Sequence, residues 1–181
     1  PLTNNPTPTI EGTAEAGSTV ELLNGNNVLG SVIAGNDGSF SITPSELDDA
    51  NYTLTVTATD EAGNTSEPST ELSITIDTTA PEAPVITTDT PLTNNPTPTI
   101  EGTAEAGSTV ELFNGDTSLG TDIADADDGS FSITSSALTD ANYTLTVTAT
   151  DEAGNTSLPS IELSITIDTT APDVPVITTD T

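Results

Sequence analysis

Tyr52-Thr53-Leu54-Thr55-Val56-Thr57-Ala58-Thr59 places an apolar or aromatic residue at every even position and Thr at every odd one. Successive side chains of a β-strand point to opposite faces. A period of two therefore buries Tyr, Leu, Val and Ala on one side and turns a β-branched polar face outward. The same alternation returns in Val20-Glu21-Leu22, Phe40-Ser41-Ile42, Leu72-Ser73-Ile74-Thr75-Ile76 and around Ile10 between Thr9 and Glu11. Between these runs lie Ala16-Gly17, Asn24-Gly25, Asp37-Gly38 and Ala62-Gly63-Asn64, residue pairs that favour tight turns. Helical spacing of apolar residues appears nowhere at useful length.

The whole pattern occurs twice. Residues 1–22, PLTNNPTPTIEGTAEAGSTVEL, recur letter for letter as residues 91–112, and the copies differ at about fifteen positions and by one inserted residue where Gly35-Asn36-Asp37-Gly38 becomes Asp125-Ala126-Asp127-Asp128-Gly129. A period of about 90 residues is the size of a small domain and too long for a solenoid coil, so the units read as beads on a string. With Pro84 to Thr88 counted as a first strand, each unit offers about seven short strands at regular spacing. The fold class expected is all-β, two tandem immunoglobulin-like sandwiches. Leu47-Asp48-Asp49-Ala50-Asn51-Tyr52 reads as a tyrosine corner, and Leu138 to Tyr143 repeats it. The boundaries that follow are 1–77 for a first repeat lacking its own first strand, 78–168 for a second, and 169–181 for a linker and the first strand of a further repeat. With Pro1 first and neither Met nor a signal peptide ahead of it, the chain is expected to be a fragment of something longer.

Composition narrows function by exclusion. The 181 residues hold 29 Asp and Glu and no Lys, Arg or His, for a net charge of −29. Such a surface repels nucleic acid phosphates and anionic lipid, and no apolar run is long enough to insert into a membrane. Cys, Met and Trp are also absent, which removes disulfides, thiolate or imidazole metal sites and the usual nucleophile and base pairs. A glycosidase needs only two carboxylates, but there is no Arg, His or Trp to build a sugar cleft around them. The chain is read as a non-enzyme. Clustered carboxylates with no cation of their own either titrate or take up metal, and all-oxygen clusters suit Ca²⁺.

GTAEAGSTVEL, YTLTVTATDEAGNTS and IDTTAPEAPVI, in that order, resemble the bacterial Ig-like repeats of giant surface adhesins, the Bap-like, RTX-type and SiiE-like biofilm proteins. The resemblance covers the whole chain. It implies an extracellular stalk at the bacterial cell surface, secreted by a type I system, in which Ca²⁺ at and near domain junctions stiffens neighbouring repeats of the same protein and terminal domains adhere. No linear EF-hand or RTX nonapeptide spacing occurs, so any site is assembled from distant loops.

Strand order then places the acids. In an Ig-like order the second-to-third, fourth-to-fifth and sixth-to-seventh loops share one end, and the last strand leaves from the other. A metal junction of Asp77, Glu105 and Asp151 is expected, with Asp168, Glu15 and Asp60 as the equivalent acids of the other repeat boundaries and Asp127, Asp128 and Glu152 as further candidates. Each has a plainer role open to it. Asp77 and Asp168 can end strands, Glu15 and Glu105 can be solvated loop acids, and Asp60 and Asp151 can form Asx-turns. Asp37, Asp127 and Asp128 can serve the turn before Gly, while Asp48, Asp49 and Asp140 can cap the loop at the tyrosine corner. Affinity for Ca²⁺ is expected in the weak extracellular range, roughly 10⁻⁴ to 10⁻³ M. The leading function is a Ca²⁺-rigidified extender adding about 40 Å per repeat. The alternative is a glycan- or surface-binding module, disfavoured by two Tyr, three Phe and no Trp. End-to-end strand exchange between fragments is the one self-association expected; otherwise the chain is a monomer.

Overall fold

The computed structural model describes residues 1–178. Two compact units divide the described residues, one formed by Pro1–Thr79 with Glu152–Asn155 and the other by Ala80–Asp151 with residues 156–178. Both are all-β, and among the described residues no helix is long and apolar enough to cross a membrane.

The first unit contains β1 (Leu2–Thr3), β2 (Ile10–Thr13), β3 (Thr19–Asn24), β4 (Asn27–Ile33), β5 (Ser39–Ile42), β6 (Ala50–Thr59) and β7 (Leu72–Ile76). One sheet has the order β1-β7-β6-β3-β4, and β2-β5 forms the facing pair. Val20, Leu22, Phe40, Ile42, Leu54, Ile74 and Ile76 fill the space between them, every one on the inward-facing parity of its strand. A fully buried Leu22 or Leu54 contributes about 1.5–3 kcal/mol of transfer free energy. Chain reversal between β3 and β4 uses only Gly25 and Asn26. Gly25 has φ 59° and Asn26 does not enter the left-handed region, so glycine takes the first central position of the hairpin while Asn24 stays in the ladder.

The second unit contains β8 (Val85–Ile86), β9 (Leu92–Thr93), β10 (Thr99–Thr103), β11 (Thr109–Asn114), β12 (Thr117–Ile123), β13 (Ser130–Thr134), β14 (Ala141–Thr150) and β15 (Leu163–Ile167). Its sheets run β12-β11-β14-β15-β9 and β13-β10-β8. The second unit's opening strand is thus split. Its first half, β8, pairs antiparallel with β10, and after Pro91 its second half, β9, pairs parallel with β15 in the opposite sheet. Proline has no N–H to donate, and it sits where the strand changes sheets.

That split refines the sequence expectation. In the first unit β1 is the counterpart of β9 and lies parallel to β7, held by Thr75 N–H to the Pro1 carbonyl at 2.8 Å and Asp77 N–H to the Thr3 carbonyl at 3.0 Å. What that unit lacks, among the described residues, is a counterpart of β8. The consequence is visible in burial. Val147 and Ala149 on β14 are fully buried, whereas Val56 and Ala58 at the same positions of β6 are half-exposed.

Candidate functional site

The two ends of each sandwich collect acids for different structural reasons. At one end the loops after β2, β4 and β6 come together. Ala14 N–H bonds the Gly38 carbonyl at 2.8 Å, Gly17 N–H bonds the Ala34 carbonyl at 3.0 Å, and Ala34 N–H bonds the Ser18 carbonyl at 2.9 Å. Glu15 and Asp60 line one groove at this end. In the second unit the same bonds join Ala104 to Gly129, Gly107 to Ala124 and Ala124 to Ser108. They put the loops bearing Glu105 and Asp127–Asp128 side by side, and Thr109 pairs with Thr150, so Asp151 and Glu152 follow at that end.

Four aspartates here, Asp37, Asp60, Asp125 and Asp128, accept hydrogen bonds from nearby chain. Asp60 closes the Asp-Glu-Ala-Gly-Asn turn: Oδ1 accepts the Asn64 N–H at 2.8 Å and Oδ2 accepts the Asn64 amide at 2.7 Å. The Asn64 side chain, then its backbone N–H, holds the Asp60 carboxyl below the ordinary aspartate range. Asp37 accepts from both the hydroxyl and N–H of Ser39, which lower it in the same way. In the longer loop Asp128 takes the Ser130 N–H at 2.9 Å and is lowered by it, while Asp125 accepts the Asp127 N–H at 2.8 Å. Asp125 had no place among the sequence candidates. Its role comes with the inserted residue, which needs an extra Asx-type cap. Glu15 and Glu105 use their carbonyls, each accepting the hydroxyl of Ser18 or Ser108 at 2.7 Å.

The opposite end holds the tyrosine corner. Tyr52 donates its hydroxyl to the Asp48 carbonyl at 3.0 Å, and Tyr143 does so to the Thr139 carbonyl at 3.0 Å. Beside it lies the most elaborate carboxylate arrangement in each unit. Asp49 Oδ1 accepts the Thr78 N–H at 2.9 Å and the Thr78 hydroxyl at 2.8 Å, and Oδ2 accepts the Thr79 hydroxyl at 2.7 Å. Asp140 repeats this with Thr169 and Thr170. Hydroxyl donors from Thr79 and Thr78 lower Asp49, and those from Thr169 and Thr170 lower Asp140. Asp77 and Asp168 complete the turn, each accepting the N–H two residues on at 3.1 Å. Sequence reading placed Asp49 and Asp140 in the corner loop but not their clasp on the departing strand. Only pairing of β6 with β7 and of β14 with β15 brings positions 29 residues apart together.

Among the described residues no three acidic side chains gather closely enough to hold an ion. Asp49, Asp60 and Asp140 already engage both carboxylate oxygens with donors of the chain.

Two sheets in this order, closed by a tyrosine corner, define an immunoglobulin-like β-sandwich carried in tandem. The chain belongs to the bacterial Ig-like domain family, which it matches over residues 1–78 and again over 85–169. It is 36% identical over 143 residues to exoglucanase B of Cellulomonas fimi, a match covering 68% of this chain and 12% of that enzyme. Fibronectin(III)-like modules of Clostridium thermocellum CbhA share the fold at a TM-score of 0.56 and 16% identity, with 92% of this chain and 87% of theirs aligned. A biofilm associated protein BSP domain aligns over 94% of this chain and 29% of its own at 25% identity and a TM-score of 0.40.

Proposed function

We propose that the chain is a pair of extender repeats of a bacterial surface protein, spacing adhesive domains from the cell in adhesion and biofilm formation. The observation that carries this reading is that two near-identical units each close a separate apolar core. A catalytic or recognition domain needs one elaborated cleft; a spacer needs copies. A charge of −29 with no cation keeps such copies soluble and mutually repelling, which extends a chain of them. The placement outside the cell and the type I secretion route belong to this proposal. So does Ca²⁺, which would bridge carboxylates across connectors such as the one following Asp77 and turn repulsion into stiffness. Because so many acids are already satisfied by their own loops, binding is expected to be weak and to require loop rearrangement.

Small-angle scattering and thermal melting over a titration to millimolar Ca²⁺ test this reading. Lengthening or narrowing of the interdomain distance distribution with a rise in melting temperature is the expected result. No response would remove the ion from the mechanism and leave a passive spacer. The match to exoglucanase B favours a second reading, in which the same units space the domains of a modular glucan-acting protein. Retention of the chain on insoluble glucan, or binding on a glycan array, would favour a recognition role over either spacer.

A further inference from the structure

We infer that the second unit carries a docking site, formed by two grooves that flank Val85, for a segment of another protein that presents an apolar side chain beside a Lys or Arg. This goes beyond the spacer reading and does not depend on Ca²⁺. One groove, a cavity of 560 Å³, runs between β8 and the chain leading from β14 to β15. Val85, Pro159, Ile161 and Leu163 give it apolar walls, and Asp89 and Glu162 also line it. The other, of 330 Å³, is acidic, with Glu82 and Glu105 in its lining. Both include Ala83 and Val85, so the apolar groove and the acidic one meet across a single ridge.

Main-chain bonds fix both walls. On one side Ile86 pairs with Gly102 and Val85 with Thr103, and the Thr87 N–H bonds the Glu101 carbonyl at 2.9 Å. On the other, the Ser160 N–H bonds the Val147 carbonyl at 2.8 Å, and the Ser160 hydroxyl oxygen accepts the Val147 N–H at 3.1 Å. Ser157 makes the same two bonds to Ala149. On this anchored backbone Ile161 is 91% exposed, and Val85 across the groove is 60% exposed. A lone exposed apolar residue is ordinary; two lining one groove on fixed backbone form a surface suited to a partner.

The sister repeat sharpens the point. From Asp49 to Pro81 and from Asp140 to Pro172 the two copies differ only where Glu67 becomes Leu158 and Thr70 becomes Ile161. Both changes put an apolar residue at an exposed position, which serves neither the core nor solubility.

Charge selects the occupant. A second copy of this chain brings a further −29 and has no Lys, Arg or His to set against Glu82, Asp89, Glu105 and Glu162, and a polyanion is repelled in the same way. An apolar side chain seated against Ile161, with a cationic one reaching over Val85 toward Glu82 and Glu105, gives the apolar centre and charged rim of a complementary interface.

Titration of the full chain with a short synthetic peptide that alternates Ile and Lys, read by amide resonances at low and moderate salt, tests this. The expected result is saturable shifts at Val85, Ile86, Ile161 and Glu162, weakened but not abolished by salt, with none at Thr70 and Glu71 of the first unit. Peptides alternating Ser with Lys, or Ile with Glu, should leave those resonances in place. Ile161→Thr, which copies Thr70, should bind the Ile and Lys peptide roughly tenfold less tightly with an unchanged circular dichroism spectrum. No shift at millimolar peptide overturns the proposal, as does equal binding by the Ser and Lys peptide or by Ile161→Thr. Groove shifts that grow with protein concentration alone would assign the site to a second copy and overturn it too.

Discussion

Asp49 and Asp140 each fasten the tyrosine-corner loop to the two threonines that follow the last strand. Asp49→Ala would leave the Thr78 N–H and two hydroxyls to water. Because the carboxylate is exposed, we expect a lowered melting temperature of a few degrees and no loss of fold. The pH dependence follows from the sign of the shift. Both carboxyls lie below the ordinary value of 3.8 in the folded chain. Their contribution is therefore fully present above 3.8 and is lost as pH falls through the lower folded value. Urea unfolding should separate wild type from the double variant Asp49→Ala, Asp140→Ala near neutrality. As pH falls through the lowered folded value the two curves should converge, because the wild-type carboxyls then become protonated as well. A gap that persists in acid would mean that the contact does not depend on charge.

Strands were legible wherever apolar and Thr or Ser residues alternate, and β6, β7 and their copies β14, β15 were read directly from that period. Two kinds of element escaped, those whose pairing is not local and one whose alternation is broken by a bulge. β1 and β9 are two residues each in Pro- and Asn-rich sequence and exist only because a parallel partner, β7 or β15, lies alongside. β4 has Gly30 opposite Leu22 and an irregularity at the next step, which blurs its alternation. The acids were legible as loop residues but not in their bonds, since Asp49 and Thr78 share no sequence signal. Burial differences between identical residues were likewise invisible, because they depend on a strand lying alongside. They give a sharp comparison: Val147→Ala should cost clearly more unfolding free energy than Val56→Ala, though both sit in the sequence TLTVTAT. Leu112→Ala, at a fully buried position, should cost about 2–5 kcal/mol. Equal losses at Val56 and Val147 would show that β8 contributes no packing.

At the scale of the molecule the two units share a sequence and differ in closure, so their stabilities should differ too. The second has β8 over its core edge, and Ile86 packs against the buried cluster; in the first, Ile10, Val56 and Ala58 remain part-exposed around the groove. Apolar area left in water is stabilisation not gained, at about 25 cal/mol per Å². Calorimetry at low concentration should therefore resolve two transitions, with the first unit melting earlier, and amides of β6 should exchange faster than those of β14. Asp77→Ala bears on the connector and not on either core, so it should leave both transitions near their wild-type positions. If Ca²⁺ acts at that connector, the same variant should lose the ion's effect on scattering while keeping two folded units. Unfolding of both units by Asp77→Ala would instead make that residue part of the fold, and a Ca²⁺ response unchanged by it would move the ion to other carboxylates.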